Sequence, residues 1–535
     1  AAAPAAASPA APPKATPPPA PKAPMAAPAN AANAFNGSVL NGSNAVYVDG
    51  MYEAWKRDPS SVHASWHVFF QQIDAGLPAD SAFTAPPALS GSPVPAPGTG
   101  GLAAGDSGDT ARTLHLIAAY QRRGHEMAIL DPLGIHVPQP VKDLDPATYG
   151  FDTVSDWERG LSLSGSFVDG VAGLLGNADV DGDGQTTLHE LVDFLQDTYC
   201  STIGVECEHV QDLEKLNWIR SRIEVHPTPF TKEEKAMILE RLAYSEKFES
   251  ILGIRFASAK RFGLEGVESM IPGLKTMVDR VTELGVEEVV VGMPHRGRLN
   301  VLANVLRKPM ELVFKEFRGV HLDHIAAETE EDGDWSSSGD VKYHLGTAFK
   351  RAYPDGRTVG IELLPNPSHL EAVNPLVVGK ARAKMDLIDD KTGNKVMPIV
   401  IHGDAAFAGQ GIVYETMQMS ELEAYQSGGT INVVCNNQIG FTANPDQARS
   451  TRYASDLGKA FGCPIFHVNA DDVEAVCRIF NLAAEWRQKF HTDVVIDIIG
   501  YRKYGHNEID EPTFTQPLMY QTIKNHPAPL KIYTD

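Results

Sequence analysis

Two patterns of hydrophobic and polar residues divide the chain near residue 250. From about residue 110 to 250 apolar residues recur every three or four positions, as in TARTLHLIAAYQRRG and KEEKAMILERLAYSEKFESIL, which predicts helices with few strands. Beyond residue 250, short β-branched runs alternate with amphipathic segments: EEVVVGM, VMPIVIHG, TINVVCNN, PIFHVNA and DVVIDIIGY. This alternation predicts an α/β fold with a doubly wound parallel sheet that helices cover on both faces.

The segment between the last two of these strands predicts one helix in detail. Asp471 or Asp472 is placed to cap its N terminus, because a carboxylate there accepts hydrogen bonds from free backbone N–H groups. The spacing of apolar residues then predicts a buried stripe made of Val473, Val476, Phe480 and Ala484. We therefore expect a strand–helix–strand unit here.

Shifts in composition divide the chain into five segments. Residues 1–35 are almost all Ala and Pro and predict a disordered tether, and residues 77–108 predict a second linker. Residues 36–76 carry the aromatic residues Tyr52, Trp55, Trp66, Phe69 and Phe70. That segment is too short to form its own core, so we expect it to fold against a partner or against the parent domain. Residues 109–250 form a helical domain and residues 251–535 the α/β domain.

Charge and composition exclude several classes of protein. The formal net charge of −22 disfavours a nucleic-acid binder that follows phosphates. No run of about 18 or more apolar residues predicts a membrane span. The five cysteines are odd in number and form no CxxC pair, so they predict reduced thiols and neither a disulfide framework nor a zinc site.

The strongest chemical pattern is HGDAAFAGQGIVYET followed by TINVVCNNQIGF. A strand over 398–402 leads to Asp404, a loop with Gly409 and Gly411 opens the next helix, and the following strand ends at Asn437. In a parallel sheet, Asp404 and Asn437 then lie at the carboxyl ends of strands, where such folds bind ligands. The N terminus of the helix offers free N–H groups to an anion.

Asp404 and Asn437 both carry oxygen donors. Magnesium takes about six oxygens and is usually held by one or two carboxylates plus phosphate oxygens. One aspartate, one amide, one backbone carbonyl and two diphosphate oxygens suit it, and the carbonyl of Ile439 is the natural backbone candidate. The alternative is that Gly-Asp at the end of a strand is only a turn.

Six motifs carry a resemblance to a known family. They are HRGRLNVLANVL, SGDVKYHLG, NPSHLEAVNP, HGDAAFAGQGIVYET, RYASDLGKAFGCPIFHVNADDVEAV and YRKYGHNEIDEPTFTQPLMY. Together, from about residue 45 to 535, they resemble the N-terminal half of the decarboxylating first component of the 2-oxoglutarate dehydrogenase complex. The resemblance implies a transketolase-like domain that binds thiamine diphosphate and Mg²⁺. Ala405 departs from the family's GDG pattern, which has glycine there.

The resemblance also implies roles for residues that match its motifs. Magnesium would be held by Asp404, Asn437 and the Ile439 carbonyl, and the cofactor diphosphate would be contacted by Arg296 with His506 nearby. The catalytic, substrate-facing residues would be His295 and His344, with Phe262 as an aromatic wall. The substrate is a dianion, and histidine can donate hydrogen bonds and move protons near neutral pH. His369 and His402 stay open between a structural role and a place in the site.

The activity that the resemblance implies is oxidative decarboxylation of 2-oxoglutarate, with succinyl transfer to a lipoyl arm. The implied partners are the lipoyl-bearing acyltransferase core and dihydrolipoyl dehydrogenase, reached through the segment 46–72, and the implied location is the mitochondrial matrix. A homodimer is expected for a complete enzyme. Two alternatives remain open: a 2-oxoadipate dehydrogenase component and a catalytically silent adaptor.

Two features depart from the family pattern. The second α/β domain, which supplies a glutamate to the cofactor, is absent, so we expect the chain to be a fragment or to need another chain for turnover. DVDGDGQTTLHE, residues 179–190, matches an EF-hand calcium loop. Its ligands would come from Asp179, Asp181, Asp183, the Gln185 carbonyl, Thr187 at position nine and Glu190. The alternative is an acidic surface turn.

Overall fold

The computed structural model describes residues 45–62, 64–75, 106–158, 160–161, 174, 177–178, 186–318 and 342–535. The chain divides into two compact units, the first ending at Gly100 and the second beginning at Gly101. The predicted tether and residues 77–105 of the predicted linker lie outside the described residues.

The first unit is a pair of helices, α1 (Ala45–Arg57) and α2 (Ala64–Asp74), joined through a 3-10 turn at Pro59–Ser61. The helices bury a shared cluster made of Tyr52, Trp55, Phe69, Phe70 and Ile73. The rings of Tyr52 and Phe70 meet edge to face with centroids 5.3 Å apart. The expectation that this segment forms no core of its own is therefore wrong, because the aromatic side chains of the two helices cover one another.

The second unit is built around an eight-stranded sheet with the order β3-β9-β10-β8-β7-β4-β6-β5. Its strands are β3 (Ile203–Glu206), β4 (Glu288–Gly292), β5 (Thr347–Ala352), β6 (Thr358–Leu363), β7 (Val396–Gly403), β8 (Ile431–Asn436), β9 (Ile465–Asn469) and β10 (Val494–Ile499). The strands from β9 to β6 are parallel, and both edge strands are antiparallel to their neighbours. A separate pair joins β1 (Gly160–Leu161) to β2 (Thr186–Thr187).

Both faces of the sheet are covered by helices. In β4, Val289 and Val291 belong to the main core, while Val290 between them packs in a second cluster with Val377 and Ala381. Successive side chains of a strand point to opposite faces, so the two clusters lie on opposite sides of the sheet. This explains why the central strands are continuous apolar runs and not alternating ones.

The helices of the second unit occupy the predicted helical stretch before residue 250 and the segments between and around the strands that follow. They are α3 (Asp106–Arg123), α4 (Val154–Trp157), α5 (Leu188–Tyr199), α6 (Leu213–Ile223), α7 (Lys232–Arg255), α8 (Met270–Glu283), α9 (Arg298–Asn304), α10 (Met310–Phe317), α11 (Asn374–Leu387), α12 (Asp404–Gly409), α13 (Gly411–Met417), α14 (Pro445–Ala448), α15 (Val473–Phe490), α16 (Pro517–Asn525) and α17 (Pro529–Thr534). Within the part of the chain that is described, none of these helices has the length and apolarity needed to cross a membrane.

The predicted strand–helix–strand unit is confirmed. Helix α15 connects β9 to β10, and the carboxylate of Asp472 accepts a hydrogen bond from the Ala475 N–H at 2.9 Å. The whole predicted stripe of α15 is buried. The helix after β7 differs from expectation, because it begins at Asp404 itself and not after the glycine loop. Gly409 ends that short helix and Gly411 begins the next.

Candidate active site

Four adjacent parallel strands have their carboxyl ends on the same side of the sheet. Each of them is followed there by a residue with a polar side chain. In sheet order β10, β8, β7 and β4 are followed by Arg502, Asn437, Asp404 and His295. The register of β7 and β8 pairs Gly403 with Cys435, so the residues after these strands are neighbours. The topology thus gathers residues that lie more than two hundred positions apart.

These strand ends line a cleft of about 120 Å³. Its lining includes six of the residues proposed from the sequence, namely His295, Arg296, Asp404, Asn437, Ile439 and His506. Phe262 stands just behind the cleft, with its ring centroid 4.3 Å from that of His295. A larger cleft of about 690 Å³ lies elsewhere, along helix α15, and none of the proposed site residues lines it.

Asp404, Asn437 and Ile439 form the oxygen-bearing corner of the cleft. Asp404 is 3% exposed, and burial raises the pKa of its carboxyl to about 6 against the opposing charge of Arg449. The Asn437 Oδ1 accepts a hydrogen bond from the Ile439 N–H at 3.3 Å, so the Asn437 amide lies beside the Ile439 backbone. A buried carboxylate beside an amide and a carbonyl fits a divalent cation.

Arg449 is a neighbour of this corner that the sequence did not reveal. Its Nη1 lies 3.7 Å from the Asp404 Oδ2, and its buried Nε has no hydrogen-bond partner among the described residues. The guanidinium therefore partly compensates the buried carboxylate where a cation would bind.

The loop after β8 is held by residues distant in sequence. Gln438 adopts a φ of 60°, and its Nε2 donates to the Asp131 Oδ1 at 2.8 Å and to the Gly500 carbonyl at 3.0 Å. Arg502 donates to the Phe441 carbonyl through both terminal nitrogens, at 3.2 Å each. These contacts fix the backbone that presents Asn437 and Ile439.

Ala405, which stands where the family pattern has glycine, lies against Gly440 in the loop after β8. A Cβ built on Gly440 would lie 2.8 Å from the Cβ of Ala405, closer than two such atoms approach. The loop therefore needs glycine at 440 because residue 405 has a side chain. With alanine at position 405, Asp404 and Asn437 line the same cleft.

Arg296 lies deeper in the cleft. It donates to the His506 carbonyl at 2.9 Å and to the Gly263 carbonyl at 3.3 Å, and burial lowers the pKa of its guanidinium to about 10. At physiological pH the side chain stays charged. Its partners are neutral carbonyls, so the positive charge is available to an anion in the cleft.

His295, Phe262 and His506 form an aromatic wall next to Arg296. Burial and the charge of Arg296 lower the pKa of His295 to about 3, so its imidazole is neutral. The Nδ1 of His295 is buried without a hydrogen-bond partner in the described chain. Phe262 adopts a φ of 50°, a left-handed conformation that is unusual for an aromatic residue and marks local strain.

His344 stands next to this wall and does not line the cleft itself. Its Nε2 lies 2.8 Å from the Ser368 Oγ, and its ring meets that of Tyr343 at 5.1 Å. Tyr343 in turn contacts Phe262 with centroids 5.0 Å apart. The structure thus connects His344 to His295 through two aromatic rings.

The sequence left the roles of His369 and His402 open, and the structure places the two side chains in different environments. His402 is fully buried, with its Nδ1 2.6 Å from the Glu371 Oε2 and its Nε2 3.2 Å from the Asn432 Oδ1. Both ring nitrogens are therefore used inside the protein, which favours a structural role. His369 is exposed.

Buried carboxyl groups in and behind the cleft were also missed. Glu268 is 3% exposed, and burial raises its pKa to about 8. Burial likewise raises the pKa values of Glu249 and of Glu265, which lines the cleft. The pKa values of Glu249 and Glu268 are both raised to about 8, so these two carboxyls hold protons near neutral pH. The motif KRFGLEG contains Glu265 and was the available signal.

A buried ionic network supports the strands under the site. His467 lies between Asp497 and Glu206, with its Nδ1 2.9 Å from the Asp497 Oδ2 and its Nε2 3.0 Å from the Glu206 Oε1. Asp497 also accepts a hydrogen bond from the Asn436 amide at 3.1 Å, directly before Asn437. The network therefore includes Asn436, which directly precedes Asn437 in the oxygen-bearing corner.

The EF-hand-like loop is only partly described. Asp179, Asp181, Asp183 and Gln185 lie outside the described residues. At its end, Thr187 caps helix α5: its Oγ1 accepts from the Glu190 N–H at 3.2 Å, while the Glu190 Oε2 accepts from the Thr187 N–H at 2.7 Å. Among the described residues, no group of three or more His, Cys, Asp or Glu is arranged to hold a metal ion.

Comparison with known proteins places the sequence of this chain in a family. Residues 240–535 match the dehydrogenase E1 component family, and residues 37–77 match the 2-oxoglutarate dehydrogenase N-terminus family. The mitochondrial 2-oxoglutarate dehydrogenase of Saccharomyces cerevisiae is 48% identical over 510 residues, which cover 93% of this chain and 49% of that protein.

Two further relatives have similar names and similar identity to this chain. The mitochondrial 2-oxoglutarate dehydrogenase of Dictyostelium discoideum is 46% identical over 503 residues, which cover 93% of this chain and 48% of the relative. A mitochondrial 2-oxoglutarate dehydrogenase-like protein of Xenopus laevis is 44% identical over 510 residues, again 93% of this chain and 48% of the relative. The chain spans about half the length of the curated relatives it matches, and it belongs to the dehydrogenase E1 component family.

Proposed function

We propose that this chain binds thiamine diphosphate through Mg²⁺ and takes part in the oxidative decarboxylation of 2-oxoglutarate. The observation that carries the proposal is the meeting of Asp404, Asn437, Ile439 and Arg296 around one cleft. Three oxygen donors for a cation and a buried arginine for a diphosphate are what such a cofactor needs. The names of the relatives support the choice of substrate.

The chain's own residues would divide the work as follows. Asp404, Asn437 and the Ile439 carbonyl hold the cation, and Arg296 donates to the diphosphate. Bound thiamine diphosphate supplies the electron sink for loss of carbon dioxide from a 2-oxo acid. The aromatic wall keeps water from the reacting end of the cleft, because it consists of packed rings.

His295 is the proposed donor to the substrate. Its neutral imidazole has an unpaired, buried Nδ1, and a buried polar atom without a partner is costly unless a ligand supplies one. A substrate carboxylate or keto oxygen would do so. His344 is proposed to contact the other end of the dianion, with Phe262 between the two.

The test is made on an enzyme of the relatives' full length that contains this chain. We expect carbon dioxide release from 2-oxoglutarate to depend on thiamine diphosphate and Mg²⁺. We expect kcat/KM to exceed that for 2-oxoadipate by at least about tenfold, since one methylene is worth that much in a fitted pocket. A preference for the six-carbon substrate would identify the 2-oxoadipate alternative, and no turnover of either would support the silent adaptor.

Location and partners follow from the same proposal. Relatives named mitochondrial support a location in the mitochondrial matrix. We propose a lipoyl-bearing acyltransferase and dihydrolipoyl dehydrogenase as partners, and a homodimer as the assembled state. The helix pair α1–α2 falls within the match to the 2-oxoglutarate dehydrogenase N-terminus family, and we propose it as the docking element.

Deleting residues 46–72 should separate docking from chemistry. We expect carbon dioxide release with an artificial electron acceptor to be unchanged, while the activity of the assembled complex falls at least about tenfold through loss of local concentration. The control is a length-matched deletion of residues 1–27. Normal complex activity after the 46–72 deletion would exclude the docking role.

We also propose that residues 179–190 bind calcium. Helix α5 begins with Thr187 as its cap and Glu190 in its first turn, the positions that an EF-hand gives to its ninth and twelfth residues. Glu190→Gln should weaken calcium binding about tenfold or more, because the twelfth residue supplies two oxygens. Titration calorimetry measures the change, with Asp193→Asn in the same helix as control. Absence of calcium heat at millimolar concentration in the wild type would leave an acidic turn.

A further inference from the structure

Arg298 is a fully buried arginine next to the proposed substrate site. It is the first residue of α9, is 0% exposed, and takes no part in the roles assigned above. Burial lowers the pKa of its guanidinium to about 9. Its hydrogen-bond partners are neutral oxygens, so no carboxylate in the described part of the chain offsets the cost of burying its charge.

The hydrogen bonds of Arg298 join two separate segments of the site. On one side, its Nη1 donates to the Met293 carbonyl at 2.9 Å, two residues before His295. On the other side, its Nε donates to the Leu345 carbonyl at 2.9 Å, directly after His344. A single planar group therefore contacts the backbone beside both proposed substrate-facing histidines.

Two further bonds hold the segment that supports His344. The Nη1 of Arg298 donates to the Asn366 Oδ1 at 2.7 Å, and its Nη2 donates to the Leu364 carbonyl. The Asn366 N–H donates to the His344 carbonyl at 3.1 Å, and Ser368 contacts the His344 ring. The chain around His344 is thus tied to Arg298 at three points.

We propose that Arg298 is a positioning residue that sets the spacing between His295 and His344 and thereby selects the length of the dicarboxylate substrate. The proposal rests on the proposed function, in which these histidines face the two ends of the substrate. The planar guanidinium presents donors in fixed directions, so it can hold two backbone segments at one separation. A flexible lysine cannot reproduce this geometry.

Arg487 provides a matched control. It is also 0% exposed, and it donates to the carbonyls of Gly429 at 3.0 Å, Gly393 at 2.7 Å, and Val396 and Ser427 at 2.8 Å each. These carbonyls lie before or at the start of β7 and β8, whereas the site lies where those strands end. Arg487→Lys therefore makes the same chemical change at the amino ends of these strands, away from the site.

The experiment compares Arg298→Lys with Arg487→Lys in the full-length enzyme. For Arg298→Lys we expect kcat/KM for 2-oxoglutarate to fall about tenfold or more, mainly through KM, and its ratio to kcat/KM for 2-oxoadipate to fall about fivefold. Arg487→Lys should lower the melting temperature similarly and leave that ratio within twofold of the wild type. An unchanged ratio in Arg298→Lys, or an equal change in both variants, overturns the proposal.

A crystallographic readout separates this proposal from the proposed function. The distance between His295 and His344 should change in Arg298→Lys and stay constant in Arg487→Lys, whatever the substrate is. If Arg298→Lys does not fold, Asn366→Ala removes one partner of the guanidinium and undergoes the same measurements. A wild type that ignores both 2-oxo acids refutes the proposed function, whereas an unchanged distance refutes the positioning role alone.

Discussion

Replacing Asp404 or Asn437 by alanine is expected to lower the affinity for thiamine diphosphate with Mg²⁺ by more than about 100-fold. Residues that merely orient metal ligands cost 10–100-fold when changed, and each of these changes would remove a ligand itself. Asp404 supplies the only carboxylate among the three proposed ligands, so its loss also removes the charge that attracts the cation. We expect Asp404→Ala to have the larger effect.

Titration calorimetry with thiamine diphosphate at saturating Mg²⁺ measures these affinities. Asp386→Ala and Asn525→Ala are suitable controls, because both residues are exposed and lie outside the cleft. Unchanged affinity in both site variants would remove the basis of the proposed cofactor site. A loss confined to Asp404→Ala would exclude Asn437 from the ligand set.

Much of the sheet could be predicted because its central strands are apolar on both faces. The runs VMPIVIHG and DVVIDIIGY contain β7 and β10, and their ends locate Asp404 and Gly500. The antiparallel edge strands β3 and β5 were not predicted, and neither was β6, which lies next to β5. Strand β3 has four residues inside a helical stretch, and β5 alternates partly buried with exposed side chains. Such strands are defined by their neighbours in the sheet, which local sequence does not reveal.

The residues of the site also divide into those that the sequence predicted and those that it did not. Residues within motifs, such as Asp404 and Arg296, could be proposed because the motif carries their role. Gln438 and Asp131 are 307 positions apart and meet only in the folded chain. The turn after β8 and helix α14 bring Arg449 next to Asp404. Contacts of this kind are products of tertiary packing, and no local pattern of residues indicates them.

The buried network around His467 should be essential to the stability of the second unit. Its histidine lies on β9, with Asp497 on β10 and Glu206 on β3, so one side chain links three strands. Burial alone would lower the pKa of His467, but the hydrogen bonds that its ring donates to Asp497 and Glu206 outweigh burial and raise the pKa to about 9. The imidazole is therefore charged in the folded protein at neutral pH.

His467→Gln is expected to destabilise the protein by about 3–5 kcal/mol at pH 6.5. The change leaves two buried carboxylates without their shared cation, and breaking a buried ion pair from one side costs about that much. Lys459 also faces Glu206, at 2.5 Å, and compensates only that carboxylate. His125 lies 3.3 Å from Glu206, but burial lowers the pKa of its imidazole to about 4, so it is neutral at pH 6.5. Asp497 would lose its charged partner, which disturbs Asn436 and weakens cofactor binding.

The effect should depend on pH with a definite sign. Because the folded pKa of His467 is raised above the unfolded value of about 6.5, its contribution is complete below pH 6.5 and is lost as the pH rises through about 9. The wild type should lose up to roughly 3 kcal/mol of unfolding free energy across that window through this residue. The variant lacks this component, so the difference between the two proteins should narrow as the pH rises.

Urea titrations at pH 6.5, 7.5 and 9 measure both the size and the slope of this effect. His189→Gln is the control, since His189 forms an exposed pair with Asp193 at 3.4 Å and such surface pairs contribute about 0–1 kcal/mol. The expected outcome is a large, pH-dependent loss for His467→Gln and almost none for His189→Gln. Equal stability of His467→Gln and wild type at pH 6.5, or a difference that widens toward pH 9, would show that His467 is not held as a cation between Asp497 and Glu206.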